Sequence, residues 1–272
     1  MLEMSIFWLR VATVFYSIGV LHTILHVLGR EKNLFQPARI CVLIAAVLHL
    51  VAIVDRSIRV GHLPAANFYE TLSLCGVLVA LVFLFIDWRY RFSSLGVILF
   101  PLAFLMTAIA ATEAPVTPFA DARVRNALLL VHVLTILAGY VALLLTAAAS
   151  IFYLAQERQL KRKSQGGLLH RLPPLGTLDE LMTRSMAFGF VFLTAGMVVG
   201  SAWAFIETGT GWLGDAKIAI SIFTWAFCLV MVFLRTIAGW RGRKAAVMAV
   251  GVLGCLALTW VAHAGLLGAI AR

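Results

Sequence analysis

The sequence predicts an all-α integral membrane protein, a bundle of about eight transmembrane helices forming one polytopic domain over residues 1–272. The chain is 62% apolar and only 12% charged, whereas a soluble domain usually carries about 25% charged residues. Its apolar runs are continuous and do not alternate with a period of two, which favours helices over the strands of a membrane barrel. We find no soluble domain, low-complexity tract or internal repeat between the runs.

Each predicted span is an apolar run that can cross a hydrocarbon core of about 30 Å, which takes about 20 helical residues. The fifth run exceeds one crossing, so we expect its helix to project beyond the membrane. Before the sixth run, Thr177-Leu-Asp-Glu180 has a capping-box pattern and predicts a short helix leading into the span. In chain order the runs lie near residues 7–28, 38–55, 70–87, 94–112, 127–155, 184–206, 216–235 and 245–268.

The uneven distribution of Lys and Arg over the loops predicts the orientation. Alternate loops on one side hold 15 of the 22 basic residues, and the other side holds 7. The richer side is predicted to be cytoplasmic, which makes both termini extracytoplasmic. No Lys or Arg lies between Met1 and Trp8, a poor start for a signal peptide, so we expect the first helix to be retained. The net charge of +10 then indicates attraction to inner-leaflet lipid and not nucleic-acid binding.

Several function classes lack their characteristic residues. The four cysteines form no C-x-x-C and no C-x-x-C-H, and all 12 Asp and Glu lie in predicted loops or at span ends. A proton-coupled transporter usually carries a carboxylate at membrane depth. Walker A, H-E-x-x-H and G-x-S-x-G patterns are also absent from the sequence. These absences argue against a disulfide enzyme, a cytochrome c, a pump, a transporter or a hydrolase, and we expect no classical enzyme activity.

A Trp-rich segment, residues 200–217, joins the sixth and seventh runs at the predicted outer surface. It places two tryptophans and a charged pair among glycines, and Trp225 follows in the seventh run. Tryptophan at such a position commonly anchors a span at the interface. The same rings also suit a flat shelf for a planar ligand. The residues concerned are Trp203, Trp212, Asp215 and Lys217.

Histidine is the best candidate for chemistry in this chain, because imidazole is an axial ligand of haem iron. His132 opens the fifth span, and His49 lies near the middle of the second, where it is either a functional site or a partner in a hydrogen bond between helices. His22 and His26 share a helical face and are either interfacial polar residues or a ligand pair. His170 lies in the basic loop and is expected to be solvated.

The Trp-rich segment resembles the signature of the haem-handling membrane proteins that assemble c-type cytochromes, the CcsA-like family. That pattern runs approximately W-A-x-x-x-W-G-x-x-W-x-W-D-P-K-E, with a further tryptophan downstream. The matches, in register without a gap, are Trp203, Gly209, Trp212, Asp215, Lys217 and Trp225. The departures are Thr208 and Gly214 in place of Trp, Ala216 in place of Pro, and Ile218 in place of Glu. Such departures are typical of the HemX and YpjD branches, and the resemblance covers about residues 61–272.

The resemblance also implies roles for histidines. The stretch from His132 to Gly139 and Tyr140 is similar to the family segment in which an outer histidine ligates haem. The family's second outer histidine follows the last helix, so His263, inside that helix, and His62, in an outer loop, are the candidates here. Arg235 stands where the family has an inner histidine. Asn67-Phe-Tyr-Glu70 resembles the family's Asn-Leu-Tyr-Glu, which either packs on the Trp-rich segment or anchors an outer loop.

The sequence and the resemblance together give one leading expectation. The protein is expected in the bacterial cytoplasmic (inner) membrane as a multi-pass chain that binds haem b non-covalently. His132 would ligate the iron, with His263 or His62 as a second ligand, and the ring would lie on Trp203 and Trp212 beside Asp215. The expected partners are membrane lipid, haem, and other cytochrome c assembly proteins or apocytochrome. The alternative is a haem-free membrane scaffold or regulator that has kept the fold and lost the site.

Overall fold

The computed structural model describes residues 3–27, 35–65, 67–90, 92–112, 127–162, 173–208, 214 and 216–263. Over these ranges the chain is helical, with eight α-helices, one short 3-10 turn at Ser93–Leu95 and no strand. All eight helices are long and apolar enough to cross a membrane. The predicted all-α membrane fold is therefore confirmed.

The helices follow the predicted runs closely. They are α1 Glu3–Val27, α2 Phe35–Val60, α3 Phe68–Tyr90, α4 Gly96–Ala110, α5 Ala127–Lys161, α6 Leu175–Thr208, α7 Ala216–Thr236 and α8 Arg243–His263. The fifth helix is 35 residues long, which is more than one crossing requires.

The capping pattern at Thr177–Glu180 predicted a short helix leading into the sixth span. The structure has this helical lead-in, but it begins at Leu175 and is continuous with the span as α6, which ends at Thr208. The Pro174 carbonyl accepts the N–H groups of Thr177 and Leu178 at 2.9 and 3.2 Å. The helix therefore starts directly after Pro173-Pro174, since proline supplies no N–H of its own and is tolerated at a helix start.

The chain divides into two compact units, Met1–Asn126 and Ala127–Arg272. In the N-terminal unit α1 packs against α2 and α4, and α3 packs against α4 and α2. Its core includes Tyr16, Phe83, Leu95 and Phe100, all almost fully buried. The Phe83 and Phe100 rings meet edge to face with centroids 4.5 Å apart, a favoured aromatic geometry.

In the C-terminal unit α5 packs along α6 and against α8, and α7 packs against α8 and α6. Glycines set the spacing of α5 and α6. Gly139 faces Leu193, Gly189 faces Leu143 and Gly196 faces Ile136. A step of three or four residues along α5 is matched by an equal step backwards along α6, as in an antiparallel pair. Without side chains at these glycines the backbones approach closely, which is the usual means of packing helices in lipid.

Candidate functional site

His132 lies near the beginning of α5 and reaches across to α6. Its Nδ1 is 2.7 Å from the carbonyl oxygen of Gly196. A carbonyl can only accept, so Nδ1 carries the hydrogen and donates it. In the neutral imidazole the lone pair then lies on Nε2. This is the arrangement in which a histidine normally ligates a metal, with one ring nitrogen held by the protein and the other facing the ion.

The imidazole of His132 packs directly against the backbone of α6, where Gly200 has no side chain. A Cβ added at Gly200 would overlap the Nδ1, Cε1 and Cγ atoms of His132. Gly196 and Gly200 are one turn apart, so they lie on the same face of α6. The ring therefore lies in a notch that Gly200 leaves open, and its Nδ1 meets the carbonyl of Gly196 at the edge of this notch.

Trp203 continues the face of α6 that carries this notch. It follows Gly200 by three residues, which places it on the same side of the helix. The residue is partly exposed, but its indole Nε1 is buried and has no hydrogen-bond partner among the described residues. An unsatisfied buried N–H is costly in an apolar environment. The Trp203 indole therefore supplies an unused donor at the same end of the C-terminal unit as His132.

Trp225 has a structural role. Its Nε1 donates to Thr194 Oγ1 at 3.0 Å, and its ring stacks on Phe190 with centroids 6.0 Å apart and planes 25° apart. These contacts join α7 to a part of α6 that precedes the Trp-rich segment in the chain. Trp225, the downstream tryptophan of the family pattern, therefore serves helix packing.

Other predicted site residues are not brought together by the described structure. Trp212 and Asp215 lie outside the described residues, as does the side chain of His263 at the end of α8. His62 lies in the N-terminal unit, where its Nδ1 donates to the Leu63 carbonyl at 2.9 Å. The assignment of a second iron ligand therefore stays a prediction.

Two further histidines, His49 and His22, make hydrogen bonds within the N-terminal unit, and His170 lies outside the described residues. His49 Nε2 lies 2.8 Å from Ser73 Oγ, so the alternative of a hydrogen bond between α2 and α3 is the one observed. His22 Nδ1 donates to the Ile18 carbonyl of its own helix at 2.9 Å. Within the described ranges, no three His, Cys, Asp or Glu side chains form a group that could hold a metal ion.

Asn67-Phe-Tyr-Glu70 fixes the beginning of α3. Asn67 Oδ1 accepts the Glu70 N–H at 2.8 Å, which is the usual N-cap bond. The Glu70 carboxylate pairs with Arg56 of α2, with Arg56 Nη2 2.7 Å from Glu70 Oε1 and side-chain exposures of 11% and 6%. The motif thus joins α2 to α3 in the N-terminal unit. The sequence identified the motif but not its partner Arg56, which lies just beyond the second predicted span, residues 38–55, and which no local pattern links to Glu70.

Arg235 lies at the opposite end of the C-terminal unit from His132. Its Nη2 is 2.8 Å from Asp179 Oδ2, and its Nε donates to Thr183 Oγ1 at 2.9 Å. Asp179 Oδ1 also accepts the Gly242 N–H at 3.3 Å. The guanidinium therefore ties the end of α7 to the beginning of α6, and it supplies no ligand for iron.

The fold and the site together define a multi-pass helical membrane protein with an oriented imidazole at one end of its C-terminal unit. Residues 65–263 match the family model of the cytochrome C assembly protein. The chain belongs to this family, which confirms the resemblance to CcsA-like proteins.

Curated relatives and a solved structure agree with this assignment. The cytochrome c biogenesis protein CcsA of Trieres chinensis is 26% identical over 266 residues, 86% of this chain and 84% of that protein. CcsA of Prochlorococcus marinus (strain MIT 9312) is 28% identical over 243 residues, 81% of this chain and 78% of that protein. The structure of the cytochrome c haem lyase CcmF superposes on the whole chain with a TM-score of 0.65 at 18% identity. The chain spans about half, 51%, of the CcmF chain, so this likeness concerns the fold.

Proposed function

We propose that the protein binds haem b non-covalently and presents it at the outer face of the bacterial inner membrane for cytochrome c assembly or haem supply. Membership of the cytochrome c assembly family supports this proposal. So do the CcsA relatives, whose names record cytochrome c biogenesis. The outer face follows from the Lys and Arg distribution, since the loop between α6 and α7 lies on the side poorer in basic residues.

The observation that carries the proposal is the hydrogen bond from His132 Nδ1–H to the Gly196 carbonyl. This bond fixes the tautomer in which Nε2 bears the lone pair, and the notch at Gly200 fixes the ring plane. A ligand prepared in this way loses little freedom on binding iron, which favours affinity. Haem, when bound, would supply the iron that His132 ligates and the macrocycle that an assembly partner receives.

The residues around His132 fit the other parts of a haem. Trp203, on the same face of α6 as the notch, offers an aromatic ring and a buried indole N–H that no group in the described part of the chain accepts. This donor suits a carboxylate or another acceptor on the ligand. Aromatic ring pairs contribute about 0.5–1.5 kcal/mol beyond area burial. In this proposal Trp212 would extend the aromatic surface, Asp215 would lie beside it, and His263 would supply a second ligand. Partners would be apocytochrome or other assembly proteins.

The test of haem binding is the absorbance of protein purified in detergent from haem-replete cells. We expect a Soret band and a haem-to-protein ratio close to one after reconstitution with hemin. A colourless preparation that takes up no hemin would contradict the proposal. It would favour the alternative, a haem-free scaffold or regulator that retains the fold.

A further inference from the structure

The face of α6 that contacts His132 leaves part of the helix backbone uncovered. In an α-helix the carbonyl of residue 196 accepts the N–H of residue 200, and the side chain at residue 200 normally covers this carbonyl. Because residue 200 is glycine, the Gly196 oxygen is exposed sideways, and its second lone pair can accept from another group. His132 Nδ1–H uses this lone pair at 2.7 Å.

The notch at Gly200 differs from the other glycine contacts of α5 and α6. Added Cβ atoms at Gly189 and Gly196 would meet the aliphatic side chains of Leu143 and Ile136. An added Cβ at Gly200 would meet the imidazole itself. Gly189 therefore serves helix packing alone, whereas Gly200 determines where an ionisable ring can lie.

We propose that Gly200 is a positioning residue for His132. By leaving room for the imidazole against the Gly196 carbonyl, it keeps the hydrogen on Nδ1, leaves Nε2 as the atom that would ligate a metal, and holds the ring in place. This inference rests on the proposed function for the identity of the ligand, a haem iron. The same helix face continues to Trp203, so the seat of the ligand and the first tryptophan of the Trp-rich segment belong to one rigid element. A rotation or slide of α6 would move both together.

The first test needs no haem. In protein labelled with ¹⁵N-histidine, the His132 signal, identified by its loss in His132→Gln, should show a hydrogen on Nδ1 and none on Nε2. Gly200→Ala should abolish this preference, since the methyl group takes the place of the ring. Gly189→Ala, at the same helix pair, should leave the His132 signal unchanged. A His132 signal with the hydrogen on Nε2 in the unaltered protein would overturn the proposal.

The second test compares the hemin affinity of four proteins. Two have His132 intact, with Gly200 or Gly200→Ala. The other two carry His132→Ala with the same two residues at position 200, and are measured with added imidazole. Loss of a group that orients a metal ligand typically costs roughly 10–100-fold in metal affinity. We expect this loss for Gly200→Ala with His132 intact. We expect a much smaller loss when free imidazole replaces the side chain, because an imidazole that is not attached to α5 can shift away from the methyl group and still ligate the iron.

An equal loss in both backgrounds would show that Gly200 serves only helix packing and would overturn the positioning role. Circular dichroism of Gly189→Ala and Gly200→Ala reports whether either substitution unfolds the helices. If the unaltered protein takes up no hemin at all, the proposed function fails. The tautomer measurement still decides whether Gly200 seats His132, so the two failures are distinguishable.

Discussion

At the residue scale, the two described tryptophans that match the family pattern have different roles. Trp225 has a hydrogen-bond partner in Thr194 and a stacked neighbour in Phe190, whereas the indole N–H of Trp203 has no partner within the described ranges. A buried polar atom without a partner marks a place where a ligand or water can be accommodated. The sequence pattern did not distinguish these roles, because both residues match the same motif.

Exchanging each of these tryptophans should separate the roles. Trp203→Ala should lower haem occupancy without changing the spectrum of the haem that remains, because it removes a ring and no iron ligand. Trp225→Ala should lower the thermal unfolding temperature, since it removes the hydrogen bond to Thr194 and the contact with Phe190. Because Trp225 is only partly buried, we expect a cost below the roughly 3–5 kcal/mol of a fully buried aromatic. Haem content and thermal unfolding in detergent are the measurements. Unchanged haem content in Trp203→Ala would remove that residue from the site.

At the element scale, the helices were largely predictable and their contacts were not. Continuous apolar runs give the spans, because backbone groups in lipid must be satisfied within the helix. The seat of His132 depends on the pairing of α5 with α6, which brings Gly196 and Gly200 opposite a residue 64 positions earlier than Gly196. Paired glycines opposite a histidine could have suggested it, once α5 and α6 were assumed to be antiparallel neighbours. The helical lead-in to the sixth span was predicted from the capping pattern at Thr177–Glu180, whereas α6 already begins at Leu175, directly after Pro173-Pro174.

The buried ion pair between α2 and α3 gives a prediction at this scale. Glu70→Gln leaves the Arg56 guanidinium buried without its carboxylate, which typically costs roughly 3–5 kcal/mol. The N-terminal unit should therefore unfold at a lower temperature or denaturant concentration. The double variant Arg56→Met/Glu70→Gln should recover much of the loss, since no buried charge remains. Arg59→Gln is the control, because its Asp55 partner lies on the same helix and both side chains are 27% exposed.

Equal destabilisation of the single and double variants would contradict this account of the pair. A destabilised Arg59→Gln would do so as well, because that pair is partly solvated and solvent-exposed pairs contribute little.

At the scale of the whole molecule, the fold class followed from composition alone, and the family from a short aromatic segment. The orientation and the arrangement of a complete haem site depend on more than local patterns. Trp212, Asp215 and the His263 side chain lie outside the described residues, and His62 belongs to the other compact unit. The single polytopic domain and the second ligand of the haem iron therefore remain predictions.

Orientation is tested by cysteine labelling in a background with the four native cysteines replaced by alanine. Gly214→Cys and Arg241→Cys suit the purpose, since both positions are exposed and nothing lies within 4 Å of an added Cβ at Gly214. A membrane-impermeant maleimide applied outside should label residue 214 in intact cells, and residue 241 only after the membrane is opened. Labelling of both from one side would contradict the predicted topology.

The identity of the iron ligand is tested most directly by the visible spectrum of haem-loaded His132→Ala. The account predicts that the Soret band of this variant is shifted or lost and that added imidazole partly restores it, because free imidazole can replace the missing side chain. His170→Ala, a histidine of the basic loop, is the matched control and should retain the original spectrum. Identical spectra for the unaltered protein and His132→Ala would contradict the central claim, because iron would then be held elsewhere.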